Sequence, residues 1–401
     1  MLNRVFKGFQ YRDFRIMWIG ACTSSVGTWM QSVAQNWLVF QLSGSSFFLG
    51  LDNFLGNIPI VLFSLVGGVI ADRASRQKIL LGSQAIQLSC AFFLAALFAL
   101  GVVHVWHILI LSFIVGSAQS FGGPAYQALI PTLVKTEDLP NAIALNSIQF
   151  NLARVIGPML GGLALAYWGA TWCFTLNGFS FIAVIISLLI ITPHFTPKRG
   201  TESVLDSMKQ GFGFIRKQPA MESLIFLAFS MTLLAFPLIV FLPVFARDVF
   251  HGGPTLYTLF LVCSGVGSVS GALIVAGLGK FRHQGRAAML MLMALGVLVT
   301  SFALCTWLVM SCIIVFFAGG VLLAVFATIS SLVQMITTDQ MRGRVMSVYN
   351  VAFRGGMPVG SLIVGALVKQ FTAPVVLAIN GILLVVMGIY FLLAHRRIAT
   401  L

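Results

Sequence analysis

The stretch Ser147–Gly162, SIQFNLARVIGPMLGG, places Arg154 inside an apolar run that is long enough to cross a membrane. Small or helix-breaking residues follow the arginine at Gly157, Pro158, Gly161 and Gly162. The pattern recurs 200 residues later, where Arg354 and Pro358 match Arg154 and Pro158. An ionised side chain at the centre of a membrane helix costs at least about 2.5–3.5 kcal/mol on insertion scales. Two such arginines at matched positions predict a polar cavity shared by two related halves.

The composition of the chain is that of a membrane protein. Hydrophobic residues occupy 59% of the 401 positions and charged residues only 8%, whereas soluble proteins carry about 25% charged residues. Apolar runs of 20 or more residues recur along the chain. Each is long enough to cross a hydrocarbon core of about 30 Å as a helix. The sequence therefore predicts an all-α membrane protein.

The predicted spans fall into two groups of six. A longer connection at 194–220 separates an N-terminal six-helix bundle (1–193) from a C-terminal one (221–401). We expect an amphipathic helix on the inner membrane surface within 194–220, and a plain linker is the alternative. The pairs Asn177–Gly178 and Asn380–Gly381 add to the repeated arginine as signs that the halves are related. Two parallel repeats are typical of transporters that bind substrate near the bilayer midplane.

The distribution of lysine and arginine predicts the orientation. With the N-terminus inside, 20 of the 24 basic residues fall in cytoplasmic segments, and only Arg247 and Lys369 fall outside. The positive-inside rule then places both termini in the cytoplasm. The net charge of +14 follows from this topology, so we expect no nucleic acid as a partner.

Polar side chains lie on single faces of several predicted spans. The candidate cavity residues are Thr28, Gln31 and Gln35 in span 1, Asn57 in span 2, Asn151 and Arg154 in span 5, and Asn350 and Arg354 in span 11. One interpretation is a water-filled cavity that binds substrate. The alternative is hydrogen bonding between helices, which Ser, Thr, Asn and Gln often provide. The two arginines favour the cavity, because charge inside a membrane usually has a function.

Asp52 is the one carboxylate that we place within a span, because the other acids fall at span ends or in connections. Burial and a neighbouring arginine would act on its protonation in opposite directions. A proton-coupling site needs such a competition. The alternative is that Asp52 faces the water outside.

The Gly-Pro element from Gly157 to Gly162 has a mechanical interpretation. Proline frees a backbone carbonyl and bends a helix, and small residues let two helices approach closely. We therefore predict a pliable joint at Gly157, Pro158, Gly161 and Gly162. Ordinary close packing is the alternative.

The connection after span 2, GVIADRASRQK, has a recognisable spacing at Gly68, Asp72, Arg73 and Arg76. It resembles the loop motif of the major facilitator superfamily, G-x-x-x-D-R-x-x-R followed by a basic residue. The resemblance implies that Asp72 latches the two halves on the cytoplasmic side and that Arg73 and Arg76 join the same charge network. Gln77 stands where the motif has its final basic residue, and Lys78 comes one place later.

Longer segments at 27–46, 124–162 and 342–350 are similar to one branch of this superfamily. That branch includes the bacterial enterobactin exporter and macrolide-efflux proteins. The resemblance covers nearly the whole chain and implies the major facilitator fold, with twelve transmembrane helices in two pseudo-symmetric six-helix bundles. The Gly-Pro element is similar to the motif associated with antiporters, so the resemblance also implies proton antiport.

The expected function is secondary active transport by alternating access. We expect a proton-coupled exporter of amphipathic organic molecules, siderophore-like or otherwise carrying anionic or catechol oxygens, since guanidinium groups bind such oxygens well. Broad drug or macrolide efflux is an alternative, and a non-transporting membrane sensor or scaffold is an alternative of another class.

The chain offers no signature of catalysis or of ATP hydrolysis. It contains no Walker A motif and no clustered catalytic residues, and its cysteines form no CxxC pair. We therefore expect no enzymatic activity, no cofactor and no metal. The expected partners are a small-molecule substrate, protons and the lipid bilayer. The expected state is a monomer in the bacterial cytoplasmic (inner) membrane.

Overall fold

The computed structural model describes residues 6–192, 204–278, 283–338 and 341–394. Within these ranges the chain is almost entirely helical and contains no strand. Twelve long helices, α1–α12, follow one another. Eleven of them are long and apolar enough to cross a membrane. The other, α1, carries serine, threonine, glutamine and asparagine along its length. The predicted all-α membrane protein is confirmed, and the twelve long helices are consistent with the twelve predicted spans.

Short breaks separate the helices in the first half of the chain. Three of the breaks contain a glycine with positive φ, at Gly44, Gly101 and Gly169, a conformation that glycine adopts without steric cost. The six helices are α1 (Arg12–Ser43), α2 (Ser46–Arg73), α3 (Arg76–Ala99), α4 (Val105–Leu129), α5 (Leu139–Tyr167) and α6 (Ala170–Ile190).

The second half begins with a short linker helix, Val204–Arg216, inside the predicted connection. Residues 194–203 of that connection lie outside the described residues. The six long helices are α7 (Pro219–Val249), α8 (Pro254–Leu278), α9 (Gln284–Leu304), α10 (Leu308–Ile336), α11 (Arg342–Val368) and α12 (Ala373–Ala394). Helix α7 is interrupted near Pro237 and Pro243 and ends in a π-helical turn, because proline lacks the N–H that continues a helix.

The chain divides into two compact units. One unit comprises 1–43 and 55–201, and the other comprises 44–54 and 202–401. The start of α2 therefore belongs to the second unit and the rest of α2 to the first.

Both units pair their helices in the same way. In the first unit α1 packs against α5, and α3 packs against α4 and α6. In the second unit α7 packs against α11, and α9 packs against α10 and α12. These are the same pairs after a shift of six helices. A buried apolar cluster joins the helices of the first unit, with contributions from Phe14, Leu80, Leu129, Leu145 and Phe181.

Candidate functional site

The two arginines at matched positions differ in their exposure. Arg154 on α5 is partly buried, and Arg354 on α11 is exposed. The guanidinium carbon of Arg154 lies 6.0 Å from the ring centre of Trp29 on α1, within cation–π range. Among the described residues, neither guanidinium takes part in an ion pair. Two positive charges in membrane-spanning helices are thus left to interact with a ligand or with water.

A partly buried chain of hydrogen bonds crosses the first unit from α6 through α1 to α4. Asn177 Nδ2 donates to Gln31 Oε1 at 2.6 Å, and Gln31 Nε2 donates to Gln35 Oε1 at 3.4 Å. Gln35 Nε2 in turn donates to Ser112 Oγ at 2.9 Å. At the other end, the Ser180 hydroxyl donates to Asn177 Oδ1 at 3.0 Å. Gln31 and Gln35 therefore join helices as well as lying on the predicted polar face of α1.

The remaining uncharged candidates have local or surface positions. The Thr28 hydroxyl donates to the Ser24 carbonyl of its own helix at 2.9 Å. Asn151 does the same with the Ser147 carbonyl at 2.8 Å. The structure brings neither of these two residues to the hydrogen-bond chain of α1.

Asn57 and Asn350 differ in their accessibility. Asn57 on α2 is partly buried, whereas Asn350 on α11 is exposed, one turn of helix before Arg354. Asn350 and Arg354 thus share a face of α11, because residues four apart lie one above the other on a helix.

Asp52 lies in the first turns of α2 and is only 3% exposed. This part of α2 packs closely against α11 within the second unit. The Ser361 hydroxyl donates to Asn53 Oδ1 at 3.2 Å, and a Cβ on Gly50 would lie 2.3 Å from the Ser361 carbonyl oxygen. The burial of Asp52 disagrees with the alternative that its carboxylate faces the water outside, and its role in proton coupling stays a prediction.

The Gly-Pro element of α5 lies in a tight seam against α1. A Cβ on Gly157 would lie 2.4 Å from the Cβ of Trp29, and one on Gly161 would lie 2.7 Å from the Met30 carbonyl oxygen. Helix α5 runs without interruption through Pro158, which is buried along with Gly162. The element therefore provides close packing, and its action as a hinge stays a prediction.

Helix α11 forms the equivalent seam against α7. A Cβ on Gly356 would lie 2.4 Å from the Phe229 carbonyl oxygen, and one on Gly360 would lie 2.0 Å from the Leu233 carbonyl oxygen. Arg154 lies three residues before the first close contact of its seam, at Gly157, and Arg354 lies two residues before Gly356. Each arginine is thereby positioned by a rigid helix pair.

The structure describes the side chains of Arg73, Arg76 and Gln77 in the loop motif after α2. Arg76 donates from Nη1 to the Ala128 carbonyl at 2.7 Å, which ties the start of α3 to the end of α4. Arg73 is exposed, and Gly68 has open space around it. The side chain of Asp72 lies outside the described residues. Gln77, which replaces the final basic residue of the motif, donates to the Leu188 carbonyl at the end of α6.

A cluster at the N-terminus was missed by sequence reasoning. Asp138, just before α5, is 3% exposed and accepts from Lys7 at 2.7 Å, Tyr11 at 2.7 Å and Gln10 at 3.0 Å. Hydrogen bonding and charge attraction from Asp138 raise the pKa of Lys7. Nothing in the sequence signalled this contact, because Asp138 is one of two adjacent acids in its connection, beside Glu137. The cluster fastens the N-terminal segment to α5.

Spanning helices in two units with the same helix pairing define a transporter of the major facilitator type. Comparison with known families agrees with this conclusion. The chain matches the transmembrane secretion effector model over residues 4–399, and it belongs to that family, within the major facilitator superfamily. It is therefore a multi-pass membrane protein of a transporter family.

Named relatives include both siderophore and drug exporters. The enterobactin exporter EntS of Citrobacter koseri is 26% identical over 396 residues, which cover 95% of this chain and 91% of the relative. The multidrug efflux pump Tap of Mycolicibacterium fortuitum is 26% identical over 361 residues, which cover 86% of this chain and 87% of the relative. The resemblance noted in the sequence to the enterobactin-exporter branch is confirmed.

Solved structures agree on the fold. The nucleoside transporter NupG superposes with a TM-score of 0.73 at 16% identity, with 95% of this chain and 98% of that chain covered. A D-xylose–proton symporter superposes with a TM-score of 0.71 at 13% identity, with coverage of 95% and 97%. The predicted major facilitator fold is confirmed.

Proposed function

We propose that the protein is a proton-coupled exporter in the bacterial inner membrane, with both termini in the cytoplasm. Its substrates are amphipathic organic molecules that carry anionic or catecholate oxygens. The observation that carries this proposal is the pair Arg154 and Arg354. Both lie in membrane-spanning helices, and neither takes part in an ion pair among the described residues.

The chemistry of the arginines supports this substrate class. A guanidinium group donates two parallel hydrogen bonds to a carboxylate or catecholate, and such charge-assisted bonds are stronger than neutral ones. The Trp29 ring beneath Arg154 adds an aromatic surface on which a planar ring can stack. A lipophilic cation would be repelled by both guanidinium groups. The site residues proposed to contact substrate are Thr28, Gln31, Gln35, Asn57, Asn151, Arg154, Asn350 and Arg354.

Broad drug efflux is the second candidate function. The two kinds of named relative are equally similar to this chain, at 26% identity each, so identity does not choose between them. Large aromatic side chains such as Trp29 accept many planar substrates, which favours a broad specificity. The charge of the transported molecule separates the two candidates.

Transport by purified protein in liposomes, driven by an imposed pH gradient, tests the proposal. We expect uptake of a dihydroxybenzoate conjugate and little uptake of ethidium, a planar cation. Arg154→Gln and Arg354→Gln should each lower the uptake rate by about 10-fold, since a charged hydrogen bond is lost. Arg247→Gln is the matched control, because Arg247 is exposed and lies 3.6 Å from the neighbouring Asp248. Uptake of ethidium without uptake of the conjugate would overturn the proposal in favour of drug efflux.

For proton coupling we propose Asp52, the buried carboxylate of α2. Asp52→Asn should abolish transport driven by the pH gradient, because the amide cannot release a proton at physiological pH. Exchange of labelled for unlabelled substrate without a gradient should continue at a rate near that of the wild type. Asp248→Asn is the control, since that carboxylate is 52% exposed. If Asp52→Asn still concentrates substrate against a gradient, the coupling role is wrong.

A further inference from the structure

A cavity of about 520 Å³ lies beside the end of α10, within the second unit. One face of α10 and the first residue of α11 provide most of its lining: Phe326, Ala327, Ser330, Ser331, Gln334 and Arg342. Residues spaced by four lie one above the other on a helix, which explains why Phe326, Ser330 and Gln334 share this wall.

The lining combines hydroxyl, amide and guanidinium groups. Gln334 Nε2 donates to Ser330 Oγ at 3.4 Å, and the Ser331, Gln334 and Arg342 side chains are exposed. Polar groups that converge on one concave surface are typical of small-molecule sites. Arg342 brings a guanidinium group to the lining, and guanidinium groups bind anionic oxygens well.

Behind Phe326, which lines the cavity, an aromatic stack continues onto α11. The Phe326 and Phe353 rings are 4.4 Å apart, and Phe353 stacks on Tyr349 with ring centres 6.2 Å apart. Tyr349 is 1% exposed, and its hydroxyl has no hydrogen-bond partner of good geometry among the described residues, although it lies beside Ser330. Buried hydroxyl groups are seldom left unsatisfied. Ser330 can link this hydroxyl to a ligand in the cavity.

We propose that this cavity is a loading site that receives an aromatic acid from the cytoplasm. The ligand's ring packs against Phe326, and its carboxylate or phenolate oxygens bind Arg342 and Ser330, with Tyr349 as a positioning residue behind Ser330. This inference rests on the proposed export function, since the basic residues at the start of α11 assign this end to the cytoplasm.

Binding of 2,3-dihydroxybenzoate to the purified full-length protein in lipid nanodiscs tests the proposal. We expect Arg342→Gln to weaken binding by about 10-fold, since it removes a charge-assisted hydrogen bond, and Arg342→Lys to weaken it less. Ser330→Ala should weaken binding by about 3-fold. Ser347→Ala is the matched control, because its hydroxyl donates only to the Gly343 carbonyl of its own helix at 2.9 Å, and it should bind like the wild type.

Tyr349→Phe separates binding from folding. The Tyr349 hydroxyl has no partner of good geometry in the unliganded protein, so its loss should leave the thermal unfolding midpoint unchanged or raise it. Binding should weaken by about 3-fold, because in the ligand complex Ser330 loses its hydrogen bond to Tyr349. A variant that binds normally, or that loses binding only together with its thermal stability, contradicts the positioning role.

Two outcomes overturn the loading site itself. One is wild-type protein that does not bind dihydroxybenzoate, and the other is equal binding by the wild type, Ser330→Ala and Arg342→Gln. If the wild type transports the conjugate in liposomes and these two variants show an unchanged KM, the loading site fails while the proposed export function stands. Absence of any transport by the wild type would instead count against the export function.

Discussion

At the scale of single residues, polar groups within the spans differ in what satisfies them. Asn177 is buried and fully engaged with Gln31 and Ser180. Arg154 has only the ring of Trp29. A satisfied amide holds helices together, whereas a charge without a counter-ion is costly until a ligand or water reaches it. The two kinds of residue should therefore respond differently to substitution: loss of Asn177 affects stability, and loss of Arg154 affects transport.

Replacement of Asn177 by leucine should destabilise the first unit. The change removes the donor to Gln31 Oε1, and a buried polar group left without a partner costs about 1–3 kcal/mol. The Ser180 hydroxyl keeps its hydrogen bond to the carbonyl of residue 177 at 2.7 Å. We expect a lower thermal unfolding midpoint for the detergent-solubilised protein. Thr175→Val is the control, because the Thr175 hydroxyl donates only to the Thr171 carbonyl within α6. Equal midpoints for the two variants would show that the hydrogen-bond chain contributes nothing.

The sequence reveals which residues are unusual, but it reveals little about their partners. Arg154 stands out because any charge in an apolar run is conspicuous. The contact between Lys7 and Asp138 joins residues 131 positions apart, and neither residue is unusual in its own connection. Asn177 was noticed only as part of a repeat, although a polar side chain in an apolar span already indicates that it faces other helices.

At the scale of elements, two helix pairs carry the same seam: α5 on α1, and α11 on α7. Lipid tails are as apolar as leucine, so helices in a membrane associate through close packing and hydrogen bonds more than through the hydrophobic effect. Glycine permits that packing where backbones meet. The seams also set the positions of Arg154 and Arg354, which links helix packing to the proposed substrate contacts.

Alanine at the seam glycines should separate these helices. At Gly161 the new Cβ would lie 2.7 Å from Met30 O, and at Gly360 it would lie 2.0 Å from Leu233 O. Both neighbours are backbone atoms, which a side-chain rotation does not move. We expect lower thermal midpoints for Gly161→Ala and Gly360→Ala, with a larger loss at Gly360.

Gly82→Ala is the matched control for the seams. Nothing lies within 4 Å of a Cβ at Gly82 in α3, and alanine favours a helix over glycine by about 1 kcal/mol. This variant should be as stable as the wild type or more stable. If all three alanine variants have the same midpoint, close packing at the seams does not determine stability.

Helices were easier to predict than helix pairs. A span is defined by its own length and composition, so hydropathy alone identifies it. The breaks in α7 were not anticipated, because prolines within a span are tolerated when neighbouring helices satisfy the freed carbonyls. The partners of Gly157 and Gly161 could not be read from the sequence, since small residues also occur away from contacts, as at Gly82.

At the scale of the whole molecule, the repeat is expressed as the same helix pairing within each unit. The sequence contained enough of the repeat to predict two related bundles, but only from a few landmarks such as Arg154 and Arg354. The start of α2 groups with the second unit, a detail that no repeat indicates. In this part of α2, Gly50 packs closely against Ser361 of α11.

The orientation of the whole chain is the last prediction, and it follows from charge. Translocation across the membrane disfavours lysine and arginine, and 20 of 24 lie on the side that we place in the cytoplasm. The six native cysteines are first removed. A single cysteine introduced into that variant then reports the side of the membrane on which its residue lies. In intact cells, a membrane-impermeant maleimide should label Val102→Cys and Thr372→Cys. Lys135→Cys and Lys217→Cys should react only after permeabilisation. All four native side chains are exposed, so failure to react reflects the membrane rather than burial. Labelling of Lys135→Cys and Lys217→Cys in intact cells would show that the chain has the opposite orientation, and the proposed direction of transport would then be wrong.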